Sequence, residues 1–300
     1  MSTAESIDQE KEKLAELKKA ELDHLIHSVS NPLHGAIADL SLLRQSLLFA
    51  QLSQLAYFDP AEIANAVTAF GLQDFNFIER GNGQAYVFST AYDCIVVFRG
   101  TEPDEIDDIK ADVDAVMVVA DTVGKVHRGF KREVDELWEP VENALKENTK
   151  PLWFTGHSLG GAMATISAGR CILSPIPSNP EALFTYGSPR VGNRRYINFV
   201  KMNHYRWVNN NDIVTRIPPR WLGYSHSGRE LYLDAYGKVR NYSKWRIFRD
   251  RWLGFFLSLR KWKVDHLSDH LITAYIQYLL QAIVDEELGK TKVLRKGASS

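Results

Sequence analysis

Apolar residues in the first sixty positions recur at helical rather than strand spacing. Leu14, Leu17, Leu22, Leu25 and Ile26 lie roughly along one stripe of an otherwise charged segment, which predicts a helix over residues 1–27. Pro32 closes it, because the residue before a proline is pushed out of the α region. A second helical stretch runs from about Ile37 to Phe58 and breaks at Asp59-Pro60. Together they predict an N-terminal helical arm, drawn over residues 1–48, that clasps a core beginning near residue 49.

The period changes after Gly81-Asn82-Gly83, a hairpin-type turn signal. Residues 85–88 and 94–98 are short β-branched and aromatic runs, consistent with paired strands. Further strands are predicted at 153–155, 183–186 and 205–208, alternating with helical stretches at about 129–148, 159–173 and 190–201. Such alternation predicts an α/β class fold, a mostly parallel sheet covered by helices on both faces. No internal repeat or low-complexity linker divides residues 49–290, which read as one domain.

Composition narrows the function classes without choosing one. A chain of 300 residues with 45% hydrophobic and 24% charged residues has ample apolar surface to bury, which excludes wholesale disorder. The longest apolar runs, such as 115–120, are far too short to span a bilayer as a helix. Thirty-six basic against 37 acidic residues leave a net charge of −1, with no global basic excess for nucleic acid. The two cysteines, Cys94 and Cys171, make neither a disulfide framework nor a metal site. Residues 1–19 are polar and charged, without an apolar signal core. The expectation is a cytosolic or mature chain, or one exported without such a signal.

The chemistry concentrates in Leu152-Trp153-Phe154-Thr155-Gly156-His157-Ser158-Leu159-Gly160-Gly161-Ala162. It holds a G-x-S-x-G pattern with a predicted strand before and a helix after, the context that gives the pattern meaning. A sharp strand-to-helix turn forces backbone segments close together, and Gly156 and Gly160 leave room where a Cβ would collide. The helix then aims its free N–H groups and positive dipole end at Ser158, where an oxyanion would form. Ser158 is the candidate nucleophile.

A serine nucleophile needs a base, and the base an orienting carboxylate. In the order Ser, acid, His, the best acid is Asp212, in a polar loop just past a strand; its plainer reading is a turn aspartate. Of the histidines after it, His270 stands at a loop-to-helix boundary, His266 lies four residues earlier, and His226 sits in a Ser-His-Ser-Gly loop. Residue types alone leave all three open. Phe98-Arg99-Gly100-Thr101 supplies a second oxyanion donor at Thr101, beside the N–H of Leu159; alone it reads as a strand-ending turn.

Several of these stretches, in this order, resemble the class 3 lipase family, which includes fungal triacylglycerol lipases and bacterial relatives. The similarity lies in Phe98-Arg99-Gly100-Thr101-Glu102, Val126-His127-Arg128-Gly129-Phe130, the serine motif and Thr185-Tyr186-Gly187-Ser188-Pro189-Arg190-Val191-Gly192-Asn193. Residues 209–218 and Asp269-His270 followed by Tyr275 extend it. The resemblance implies an α/β-hydrolase fold, a Ser158–Asp212–His270 triad with Thr101 and Leu159 as oxyanion donors, and carboxylic ester hydrolysis. It favours His270 over His266, because the family's histidine precedes an aromatic by five residues in the last helix. It places His226 in a non-catalytic loop. The reading needs no metal or organic cofactor, takes a lipid ester as substrate, and calls for no protein partner.

Two further segments bear on lipid surfaces. Residues 103–125 fall where family members carry a lid, and Ile106, Ile109, Val113 and Val116 recur there at helical spacing among acidic residues. A moving lid and a permanently docked helix predict the same pattern. Residues 238–263 hold nine basic residues, one acidic residue and three tryptophans, a basic aromatic insertion suited to a membrane surface or to packing on the core. The expected function is a triacylglycerol lipase acting at a lipid–water interface, peripheral to the membrane. The alternatives are a phospholipase or short-chain esterase on the same triad, or a lipase-like scaffold that binds without turnover.

Overall fold

Alternation along the strands decides which helices cover which face. A computed structural model describes residues 3–29, 32–100, 115–240, 246 and 270–290. In β3 (Cys94–Phe98), Ile95 and Val97 enter one apolar cluster, while Cys94, Val96 and Phe98 enter the other. The first cluster is closed by helices α1 (Thr3–His27), α2 (Leu42–Leu55) and α7 (Ile272–Glu287). The second is closed by α4 (Arg128–Leu145), α5 (Leu159–Cys171) and α6 (Arg194–Phe199). A short helix α3 (Pro60–Ile63), started by a capping box at Asp59, follows α2.

Among the described residues the central sheet has eight strands. A hairpin of β1 (Asp74–Arg80) and β2 (Gly83–Ser89) pairs antiparallel with β3. Then β3, β6 (Leu152–His157), β7 (Pro180–Tyr186), β9 (Asn203–Asn209) and β11 (Arg229–Leu233) run parallel, and β12 (Val239–Arg240) returns antiparallel at the edge. The sheet order is β1-β2-β3-β6-β7-β9-β11-β12. A small antiparallel sheet of order β10-β8-β5-β4 lies apart, built from β4 (Met117–Val119), β5 (Lys125–His127), β8 (Gly192–Asn193) and β10 (Tyr224–Ser225).

The structure redraws several predicted boundaries. The arm boundary at residue 48 falls inside α2, a helix buried along nearly its whole length between the sheet and α7. Its Ser46 and Ser53 hydroxyls donate back to the carbonyls of Leu42 and Phe49, which lets polar residues lie inside the core. Of the segment before α2, Leu22 and Leu25 enter the same cluster, so the end of α1 does clasp the core. The helix predicted at 190–201 shrinks to α6, because Gly192 and Asn193 pair with β5 and β10 first and the Asn193 side chain then caps the helix at Tyr196. In the lid span, residues 103–114 lie outside the described residues. Residues 117–119 form a strand rather than a continued helix, as a Met-Val-Val run paired with β5 favours. Of the basic aromatic insertion, Val239 and Arg240 form β12 and Arg246 is exposed; the rest lies outside the described residues.

Candidate active site

Strand β6 delivers Ser158 by a turn that few residues tolerate. Ser158 has φ 56° and ψ −127°, one of only two positive-φ non-glycine residues among those described. The close approach that this turn requires is visible at Gly160, where a Cβ would come within 2.2 Å of the Phe98 carbonyl oxygen. Ser158 donates its backbone N–H to Tyr186 O at 2.9 Å, which ties the turn to β7. Leu159 is the first residue of α5, so its N–H belongs to those without an acceptor inside the helix.

Three side chains meet here from separate parts of the chain. His270 Nε2 lies 2.8 Å from Ser158 Oγ, and His270 Nδ1 lies 3.0 Å from each carboxylate oxygen of Asp212. An ionised carboxylate only accepts, so Nδ1 carries the proton and Nε2 offers its lone pair to the serine hydroxyl. All three residues are buried. Asp212 accepts further hydrogen bonds from Tyr275 Oη at 2.6 Å and from the backbone N–H of Val214 at 3.0 Å. Tyr275 in turn accepts the Asn209 N–H at 3.0 Å, so the end of β9 and helix α7 hold the acid between them.

Gly187, at the end of β7, has φ 60°. A Cβ there would lie 2.8 Å from Asp212 Oδ2 and 2.8 Å from His270 Nδ1. No side chain fits beside that pair.

The other predicted residues separate. His226 donates from Nε2 to the Thr215 carbonyl at 2.7 Å, bracing the loop that follows Asp212, while His270 is the histidine on the serine. Burial first, and then the nearby Arg206, hold its pKa well below the ordinary histidine value, so it stays neutral. His266 and Thr101 lie outside the described residues, and Leu159 stands at the helix start beside the nucleophile. The sequence alone assigns no role to two further residues at the site. His157 occupies the variable position of the serine motif, and Tyr57 precedes it by a hundred residues, a separation no local pattern bridges. Among the described residues no group of three or more acidic, histidine or cysteine side chains is placed to hold a metal ion.

Comparison with known proteins agrees with this geometry. A family model described as Lipase (class 3) matches residues 95–221. Secreted mono- and diacylglycerol lipase 1 of Fusarium solani is 39% identical over 122 residues, which cover 37% of this chain and 34% of that protein. Toxin TseL of Vibrio cholerae serotype O1 is 32% identical over 166 residues, covering 54% of this chain and 25% of the toxin. The chain thus spans only about a third and a quarter of the length of these two relatives. The solved structure of Rhizomucor miehei triacylglyceride lipase is similar with a TM-score of 0.57 at 26% identity, over 64% of this chain and 80% of that one. With the helix-flanked parallel sheet and the serine turn between β6 and α5, these matches give an α/β-hydrolase fold, in which residues 95–221 are similar to the class 3 lipase family.

Proposed function

We propose that this protein is a lipase that hydrolyses fatty acyl esters of glycerol through an acyl-serine intermediate. The observation that carries the reading is the buried line from Ser158 Oγ through His270 to Asp212, set at the N-terminus of α5. Ser158 Oγ attacks the ester carbonyl carbon as its proton passes to His270 Nε2, and Asp212 holds the imidazole and stabilises its charged form. The Leu159 N–H and the Thr101 N–H or hydroxyl receive the oxyanion, where losing one donor typically costs about 3 kcal/mol in the barrier. When the tetrahedral species collapses, the alcohol leaves with the proton from Nε2. Water then attacks the acyl carbon, gives a proton to Nε2, and frees the fatty acid as Ser158 recovers its own. Each proton in the cycle passes through His270 Nε2.

Exposed apolar side chains offer a surface to lipid. Trp221 is 85% exposed, and Leu222 beside it is also exposed. The backbone at Gly223 sits against Met117 of β4, where a Cβ would be 3.5 Å from the methionine methyl, so this turn and β4 with its exposed Val119 form one apolar edge. A large aromatic left in water beside other apolar side chains suits a lipid–water boundary. The names of the relatives support acylglycerol substrates.

The test is hydrolysis of a medium- or long-chain triglyceride across its solubility limit, with Ser158→Ala as the blank. A rate that rises when emulsion forms, and is absent in Ser158→Ala, is expected. Turnover retained by Ser158→Ala would sink the reading, and activity confined to dissolved short-chain ester would make the protein an esterase. A chain that neither turns over ester nor labels with a fluorophosphonate would be a binding scaffold.

A further inference from the structure

His157 is buried, and neither of its ring nitrogens is used in the proposed chemical steps. Nε2 lies 2.7 Å from the backbone carbonyl oxygen of His270. A carbonyl only accepts, so Nε2 carries the proton and Nδ1 is left with a lone pair. Tyr57 Oη stands 2.8 Å from Nδ1 and therefore donates to it. Burial first, and the neighbouring charge of His270 second, hold the His157 pKa well below the ordinary histidine value. The ring thus stays neutral beside a base that must become cationic, with only 4.6 Å between the two ring centres.

Tyr57 is itself confined. The Arg99 guanidinium lies 5.8 Å from its ring centre. Gly100 approaches so closely that a Cβ would fall 2.3 Å from Tyr57 Oη and 2.6 Å from the His157 carbonyl oxygen. Tyr57 therefore holds its hydroxyl between the end of β3 and the end of β6.

The two ends of this arrangement differ in how they are carried. His157 ends β6 and is one bond from Ser158, so its ring moves with the nucleophile. His270 precedes α7 on a turn, and its side chain reaches Ser158 only as far as that turn is registered. We propose that His157, held in its Nε2–H tautomer by Tyr57, is a positioning residue that fixes the His270 backbone against the strand bearing Ser158. The inference rests on the ester-hydrolase reading and deepens it: His270 is held at its side chain by Asp212 and at its main chain by His157. Such a link counts because a misplacement of about 1 Å in a catalytic group can cost about a hundredfold in rate.

The test uses the full chain and p-nitrophenyl butyrate in solution, with Ser158→Ala as the blank. His157→Leu removes the donor, whereas His157→Gln keeps an amide N–H where Nε2 stood. His157→Leu should lower kcat about ten- to a hundredfold with KM nearly unchanged. His157→Gln should recover most of that loss. The downfield proton signal of the His270 Nδ1–H···Asp212 bond should broaden in His157→Leu and return in His157→Gln. Tyr57→Phe should cost about threefold to tenfold in the wild-type background and little in His157→Gln, because the two residues act through one ring.

A folded His157→Leu with wild-type kcat overturns the proposal. So does His157→Gln as impaired as His157→Leu when both melt like wild type. Where His157→Leu fails to fold, the Tyr57 cycle decides: equal losses in both backgrounds overturn it, and coupling supports it. Wild-type turnover that vanishes in Ser158→Ala upholds the hydrolase reading whatever the His157 variants do, so the two failures remain distinct.

Discussion

The loop that follows β9 has two ends of opposite character. Asp212 at its start is 0% exposed and receives hydrogen bonds from His270, Tyr275 and the Val214 N–H, whereas Trp221 near its end is 85% exposed. Between them the backbone is braced from inside. Arg190 donates its N–H to Ile217 O at 2.8 Å and its guanidinium to the carbonyls of Pro218 and Arg216, and His226 holds Thr215 O. A short stretch thus passes from an enclosed, fully partnered carboxylate to an apolar side chain open to its surroundings. The enclosed end is held by buried partners that leave Asp212 one arrangement. Among the described residues, the exposed end has no such set of buried partners around Trp221.

The largest break in this contrast is expected at Gly187. Gly187→Ala pushes a methyl against both Asp212 and His270 at a backbone position that disfavours a side chain, and should lower kcat by about a hundredfold or more. A soluble-ester assay beside a melting curve checks it, and wild-type kcat would refute the claim that this pair is sterically fixed. Tyr275→Phe removes one of the hydrogen bonds that hold Asp212. A hydrogen bond to a charged group is worth about 1.5–3 kcal/mol, so kcat should fall roughly tenfold to a hundredfold while KM changes little.

Acid should act on the enclosed side as well. Burial lowers the pKa of His204 to about 3, with Arg206 adding to the shift. The unfolded chain binds that proton near the ordinary value of about 6.5, so this stabilisation is complete above that pH and is lost as pH falls toward about 3. Melting temperature measured from pH 7 to pH 4 should drop, and the drop should flatten in His204→Gln if this residue contributes. The smallest effect is expected at the exposed end. Trp221→Ala should reduce turnover on emulsified triglyceride by about threefold to tenfold and leave dissolved short-chain ester untouched. Equal losses on both substrates would mean that Trp221 serves the cleft rather than the surface.

Gly187 and Tyr275 both stand in stretches that carry the family resemblance, yet the sequence shows neither the crowding at Gly187 nor the bond from Tyr275 to Asp212. The glycine's job depends on two residues that are distant in sequence, and the tyrosine's on an aspartate 63 positions away. Local pattern reports what a residue's neighbours along the chain require, so strand, turn and helix around Ser158 were readable. Gly156 and Gly160 were readable for the same reason. The small sheet and the shortened α6 were not, because β8 is a two-residue pair whose partners come from elsewhere in the chain. Helix α2 was readable as a helix but was divided at residue 48, since a segment buried on nearly every side has no polar face to mark where a core begins.

The sequence by itself determined the α/β class, the serine turn and, through the family resemblance, the choice of Asp212 and His270 from among their rivals. Those follow from short-range constraints: apolar period, glycine where backbones touch, and proline or asparagine where helices stop or start. Only the tertiary structure decided how the base is held. It brings Tyr275 onto Asp212, His226 onto the acid loop, Tyr57 onto His157, and His157 onto the main chain of His270. These are directional hydrogen bonds between groups 11 to 113 positions apart in the chain, and each becomes defined only when burial removes water as the competing partner.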